Sequence, residues 1–220
     1  IRLIMGRSVE VIQLSDHITP KVPEVTKVQR FELSPFIMVA RLQAYAQVRS
    51  TSAFTFFCDA DSIFVNPLDL SFFIGDVFIT KRVADHLIND QYPEFYPEFT
   101  GKMMKDVMPI LFGALAVKGT QKEFFEYLLA TCLELPERFH RWYGDQYALA
   151  SVMNSSQFNF GYLDPRKHLF IVQSEVSIED IAILKVSGVQ MITFKGRESK
   201  LYMEGTLKNL RELIFNSIIR

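Results

Sequence analysis

Two aspartates separated by one small residue, Asp59-Ala60-Asp61, are the side chains of this sequence best suited to chemistry. They follow Phe54–Cys58, whose apolar and β-branched residues predict a strand buried on both faces, as in the middle of a mostly parallel sheet. In an open α/β sheet, ligands bind at the carboxyl ends of the strands. Two carboxylates beside so much apolar chain suit a hard divalent cation carrying phosphate oxygens. The alternative is a solvated aspartate turn.

The composition favours one α/β domain over residues 1–220, because nearly half of the residues are hydrophobic and 20 are phenylalanine. The net charge is −1 and the sequence contains no long run of acidic or basic residues, so nucleic acid is not expected as the main partner. Two cysteines do not make a disulfide framework, which predicts a reducing, cytoplasmic location. No apolar stretch reaches the ~20 residues of a transmembrane helix, and no secretory signal is recognisable.

Apolar periodicity predicts alternating strands and helices around the aspartates. The predicted strands are 9–14, 54–58, 76–80, 110–117, 169–172 and 189–194, and the predicted helices are 35–49, 120–134, 145–152 and 207–219. This alternation predicts an α/β fold with a mostly parallel central sheet flanked by helices. The chain opens in what resembles the end of a helix closed by Gly6, so a first βα unit of roughly 25 residues is expected upstream.

Several residues on these elements have a chemical or structural interpretation. Arg41 is either a solvated helix arginine or a cation that points towards the carboxyl edge of the sheet, where it could pair with a diphosphate or a carboxylate. Gly113 would let a ligand approach the backbone of its strand closely. Thr120 and Glu123 have the spacing of a capping box, and Asp145 is placed to cap the helix that follows it.

Two segments resemble glycosyltransferases. The Asp-x-Asp sequence at 59–61, with the apolar strand before it and Phe-Val-Asn-Pro-Leu after it, resembles the metal-binding motif of GT-A glycosyltransferases. Ala40-Arg41-Leu42 is similar to the Tyr-x-Arg-Leu pattern of glycosyltransferase family 8, although the aromatic residue is replaced.

Two further segments carry the same resemblance. Gly144-Asp145-Gln146 is similar to the Gly-Asp-Gln found at a helix start in GT-A enzymes, where the acid binds sugar hydroxyls and the amide lies near the anomeric carbon. The segment 194–200 resembles the His-Phe-x-Gly-…-Lys motif of family 8, with Thr193 in place of the histidine that is a third metal ligand. A hydroxyl is a poorer ligand than imidazole, so the metal site is weaker, completed by another residue, or dispensable.

The resemblance implies a GT-A (Rossmann-like) nucleotide-diphospho-sugar transferase that moves a sugar, from a UDP-sugar by preference, to an acceptor hydroxyl. Asp61 would hold Mn²⁺ or Mg²⁺, and Asp59 would be shared between the metal and the ribose. Asp145 and Gln146 would be the catalytic residues. The implied donor-binding residues are Arg41, Asp59, Ala60, Asp61, Gly113, Lys195, Gly196 and Lys200. Family 8 members retain the anomeric configuration, and the resemblance implies the same here, although no side chain is an evident nucleophile.

Two alternatives stay open. A phosphatase of the haloacid dehalogenase type would use Asp59 and Asp61 as nucleophile and acid/base, but its later Gly-Asp-x-x-x-Asp motif is interrupted by Leu149. A GT-A-like domain that has lost catalysis would act as a binding module, and the replacement at Thr193 is compatible with that.

Overall fold

The computed structural model describes residues 1–6, 8–23, 25–69, 73–83, 87–88, 97–155, 157–194 and 199–218. The chain divides into two compact units, which are described separately. Unit 1 consists of Ile1–Val9, Phe57–Phe72 and Leu163–Arg220, and unit 2 consists of Glu10–Phe56 and Phe73–Tyr162. The expectation of a single domain over 1–220 stays a prediction. Within the described ranges, no helix is both long and apolar enough to cross a membrane.

Strands and helices alternate along much of the chain. The strands are β1 (Ile12–Ser15), β2 (Lys27–Arg30), β3 (Phe54–Cys58), β4 (Ser62–Phe64), β5 (Val77–Lys81), β6 (Ile110–Lys118), β7 (Phe160–Leu163), β8 (Phe170–Val172) and β9 (Met191–Phe194). The helices are α1 (Arg2–Met5), α2 (Ile37–Gln47), α3 (Met104–Val107), α4 (Lys122–Glu134), α5 (Glu137–Arg141), α6 (Gly144–Met153), α7 (Pro165–His168), α8 (Ile178–Val186) and α9 (Ser199–Ile218). This mixed α/β architecture confirms the predicted fold class.

Unit 2 is built on a four-stranded sheet in the order β3-β6-β5-β7, together with a parallel pair formed by β1 and β2. Strands β5 and β6 are antiparallel, so the sheet is mixed. Helices α2, α4 and α6 pack against one another, and α2 also contacts α5. Their shared interior is aromatic: the ring of Tyr45 lies 6.0 Å from that of Phe112 and 5.4 Å from that of Phe125. This packing holds α2 and α6, which carry predicted site residues, in contact.

Unit 1 is built on a three-stranded sheet in the order β4-β9-β8. Strand β4 is antiparallel to β9, and β8 is parallel to it. The sheet and helices α8 and α9 enclose a core that includes Ile63, Ile181, Phe194 and Leu210. This core stabilises the chain segment that follows the paired aspartates, because β4 begins directly after them.

Outside the candidate site, two local predictions are wrong, and a third gave a helix that is present but begins earlier than expected. Only Phe57 of β3 is fully buried, because within the described residues β3 stands at one end of its sheet and not in the middle. The capping box at Thr120 does not form, since Gln121 adopts a left-handed conformation (φ 44°) and delays the start of α4 to Lys122. Helix α9 begins at Ser199, eight residues before the predicted helix, because its first turns also pack on the core of unit 1.

Candidate functional site

A buried ion pair joins two of the predicted site residues in unit 2. Arg41 of α2 donates from Nη1 to Oδ2 of Asp145 on α6, at 2.7 Å. The Asp145 side chain has no exposed surface, whereas 23% of the Arg41 side chain is exposed. The Arg41 guanidinium also lies over the ring of Phe112, 5.6 Å from its centroid. A carboxylate this deeply buried needs a cationic partner, and Arg41 supplies it.

The start of α6 depends on Gly144. A Cβ atom at this position would overlap the carbonyl oxygen of Phe139 and lie 2.9 Å from its carbonyl carbon, so a glycine is required where α6 meets α5. The residue before it, Tyr143, is in the left-handed region at φ 65° and occupies the N-cap position. The prediction that Asp145 caps α6 is therefore wrong. Asp145 lies inside the first turn, where the helix dipole favours a negative charge, and its Oδ1 accepts the Gln146 backbone N–H at 2.8 Å.

The charge of Asp145 also affects the thiol of Cys132. Burial, and then the nearby Asp145 carboxylate, raise the pKa of Cys132 from 9.0 to about 12. Cys132 is completely buried and its thiol therefore stays protonated and unreactive at neutral pH. We assign it a packing role beneath the start of α6.

The sequence analysis missed Arg82, which follows β5 directly. Its backbone N–H donates to the carbonyl of Pro109 at 2.7 Å, and its Nε donates to the carbonyl of Met108 at 2.9 Å. Its Nη2 donates to Oε1 of Gln146 at 2.7 Å. Arg82 and Arg41 thus hold two consecutive residues of α6. The only signal in the sequence was a cation at the end of a predicted strand.

Gly113 lies in an irregular part of β6. Ile79 pairs with Leu115, but the next residue, Thr80, pairs with Leu111, so residues 112–114 bulge out of the β5–β6 ladder. The Thr80 hydroxyl donates to the carbonyl of Ala114 at 3.1 Å, which holds the bulge in place. Bulges commonly redirect side chains near functional sites, and this one contains Phe112, the ring beneath Arg41.

The paired aspartates lie in unit 1, in the turn between β3 and β4. Asp59 and Asp61 are half-buried and Ala60 is exposed. Burial, followed by the charges of Asp59 and Asp61, raises the pKa of the neighbouring Cys58 thiol from 9.0 to about 12. Both carboxylates therefore lie close enough to Cys58 to affect the pKa of its thiol. The carbonyl of Asp61 accepts the backbone N–H of Phe194 at 2.9 Å, which attaches the turn to β9.

Thr193, at the position where family 8 has a histidine, pairs with Ser62 in the β4–β9 ladder, one residue after Asp61. Its hydroxyl is completely buried and lies 2.9 Å from that of Ser62. In the part of the chain that the structure describes, no group of three or more His, Cys, Asp and Glu side chains could hold a metal ion. Two carboxylates suffice for a Mg²⁺ or Mn²⁺ ion that takes its other ligands from substrate phosphates and water, so the residues fit that type of site.

The remaining predicted donor-binding residues follow β9 in the sequence. Lys195 and Gly196 are outside the described residues. Lys200 is the second residue of α9. Their contacts with a diphosphate stay predictions.

The comparisons with known proteins concern the fold. No protein-family model matches the chain, and no curated protein matches it. Among solved structures, the chain is similar to a glycosyltransferase involved in the glycosylation of the major capsid of PBCV-1. The match has a TM-score of 0.53 and 12% sequence identity, and it covers 91% of this chain and all of the viral one. The chain therefore shares the overall fold of that viral protein. At this identity, the likeness establishes the Rossmann-like α/β architecture.

Proposed function

We propose that this protein is a metal-assisted glycosyltransferase that moves a sugar from a nucleotide diphosphate sugar to an acceptor hydroxyl. The observation that carries the proposal is the ion pair between Arg41 and Asp145, which are 104 residues apart. Two separate motif resemblances assigned these residues to one donor site, and they are in contact in unit 2. The glycosyltransferase fold supports the same function.

In unit 2, the partly exposed Arg41 is the cation that would contact the donor. Asp145 is fully buried and engages Arg41 and the Gln146 backbone, so it would act by orienting both. A guanidinium fixed in advance stabilises the negative charge that develops on a leaving phosphate without having to reorganise. Gln146 is partly exposed and would contact the sugar.

In unit 1, Asp59 and Asp61 would hold Mn²⁺ or Mg²⁺, with UDP as the preferred nucleotide. The ion, when bound, would neutralise charge on the leaving diphosphate. Burial keeps the adjacent Cys58 thiol protonated, so the two carboxylates are the anionic ligands that this turn offers. Lys195, Gly196 and Lys200 would contribute contacts to the phosphates, as the resemblance implies.

Calorimetric titration with UDP and GDP, with and without Mn²⁺, tests the proposal. We expect metal-dependent binding of UDP that weakens at least about tenfold in Asp61→Ala. Losing a side chain that binds the metal directly should cost no less than losing a residue that only hydrogen-bonds to such a side chain. Glu204→Ala removes an exposed acid of unit 1 and is the matched control, with binding unchanged. Failure of the wild-type protein to bind either nucleotide under any condition would overturn the proposal.

A catalytically inactive binding module is the second candidate, favoured by the Thr193 hydroxyl, which pairs with Ser62 where family 8 has a metal-binding histidine. This module would bind UDP without hydrolysing or transferring the sugar of UDP-glucose, UDP-galactose or GDP-mannose. Turnover of any of these donors would exclude it. Hydrolysis of p-nitrophenyl phosphate that is lost in Asp59→Asn would instead support the phosphatase alternative.

A further inference from the structure

The contact between Arg82 and Gln146 determines how the Gln146 carboxamide can act. Arginine has donors and no acceptor, so the amide atom that faces its Nη2 at 2.7 Å must be the oxygen, Oε1. Nε2 then occupies the opposite corner of the planar amide. Within the described residues, no hydrogen bond is made by Nε2, and Gln146 is partly exposed. The group that Gln146 can offer to a ligand is therefore its NH₂.

Arg82 is itself held firmly. Its backbone N–H donates to the carbonyl of Pro109, which fixes the main chain, and its Nε donates to the carbonyl of Met108, so rotation of the side chain would break that second bond. On the other side, the backbone N–H of Gln146 is fixed by Asp145. A fixed Arg82 donor and a fixed Gln146 main chain thus favour one orientation of the carboxamide, with Oε1 facing Arg82.

We propose that Arg82 is a positioning residue that makes Gln146 a hydrogen-bond donor to the sugar or diphosphate of the donor substrate, and that prevents its amide oxygen from acting as a nucleophile. This inference rests on the proposed function. Attack by Oε1 on the anomeric carbon would form a C–O bond, break the bond to the diphosphate, and leave a positively charged imidate. That cation would form beside the Arg82 guanidinium, where like charges repel, and the charge-assisted hydrogen bond from Arg82 already withdraws electron density from the oxygen through one of its two lone pairs.

The test compares Gln146→Glu with Gln146→Ala. Glutamate keeps the size of the side chain and can pair with Arg82, but it has oxygen at both positions and cannot donate when ionised. We expect both variants to lose about 100-fold in kcat for a UDP-sugar, as for the loss of one preorganised donor. Intact-mass spectrometry of the wild type with the UDP-sugar should show no sugar adduct.

Arg82→Lys tests the positioning role, because lysine keeps the charge but cannot hold Met108 and Gln146 together. We expect kcat to fall about tenfold with little change in KM, as for an interaction used in the transition state. Arg30→Lys is the matched control: Arg30 also lies at a strand end and binds the carbonyls of Asp16 and Thr19, so its replacement should lower the melting temperature without changing kcat. Side-chain amide resonances of Gln146 should move in Arg82→Lys and not in Arg30→Lys.

The outcomes separate this inference from the proposed function. Wild-type turnover together with an unimpaired Gln146→Glu variant, or a sugar adduct on Gln146 of the wild type, would overturn the inference and leave the transferase in place. Unmoved Gln146 amide resonances in Arg82→Lys would overturn it as well. A wild-type protein that binds neither UDP nor GDP would overturn the proposed function, and the ligand role of Gln146 with it.

Discussion

Removal of one partner of the ion pair between Arg41 and Asp145 should destabilise unit 2 substantially. Breaking a buried pair by removing one charge typically costs about 3–5 kcal/mol, because the other charge stays buried. For Asp145→Asn we expect about 2–3 kcal/mol, since asparagine keeps the shape and one acceptor, and 23% of the Arg41 side chain remains exposed to water. In a chain of this length that corresponds to a decrease in melting temperature of about 4–12 °C.

The appropriate assay is a double-mutant cycle that measures the free energy of unfolding of Asp145→Asn, Arg41→Met and the double variant. The double variant should cost about 1–2 kcal/mol less than the sum of the single variants, because it leaves no uncompensated charge. The exposed pair Arg138–Glu98 is the matched control, with side chains 40% and 36% exposed. Its coupling should be below about 1 kcal/mol.

Two results would refute this reasoning. If the effects of Asp145→Asn and Arg41→Met add within about 0.5 kcal/mol, the two side chains are not energetically coupled. If Asp145→Asn leaves the melting temperature unchanged, the carboxylate is not buried as an anion. Loss of UDP binding in Asp145→Asn without any loss of stability would assign the residue a direct role in binding the ligand.

Two further predictions concern packing and pH. Gly144→Ala should lower the free energy of unfolding by about 3 kcal/mol or more, because the added Cβ meets the Phe139 backbone. Gly205→Ala in α9 should raise it by about 0.5–1 kcal/mol, because the added Cβ meets only a flexible glutamate carboxylate. Urea unfolding of the two variants checks this, and equal effects would contradict it. Burial lowers the pKa of His168 below its usual 6.5, so as the pH falls the unfolded chain takes up a proton on this histidine before the folded chain does. The free energy of unfolding should therefore fall as the pH drops through and below about 6.5. His168→Asn should reduce this dependence of stability on pH, and an unchanged dependence would count against the prediction.

Local sequence patterns were sufficient for most of the secondary structure. Strands such as β5 and β6 were recognisable because runs of apolar and β-branched residues favour a strand wherever they are buried. The start of α4 was not recognisable, because Gln121 takes a left-handed conformation that no capping pattern indicates. The early start of α9 depends on packing against residues distant in sequence, which a local window does not contain.

For the candidate site, the sequence determined which residue types were available, and the resemblance of short motifs pointed to Arg41, Asp59, Asp61, Asp145 and Gln146. Only the tertiary structure decided which of them touch. It placed Arg41 against Asp145 and brought in Arg82, for which the sequence offered no more than a cation after a strand. The physical reason is that hydrogen bonds and ion pairs depend on distances of about 3 Å between side chains far apart in the chain, and those distances are set by the packing of helices and strands.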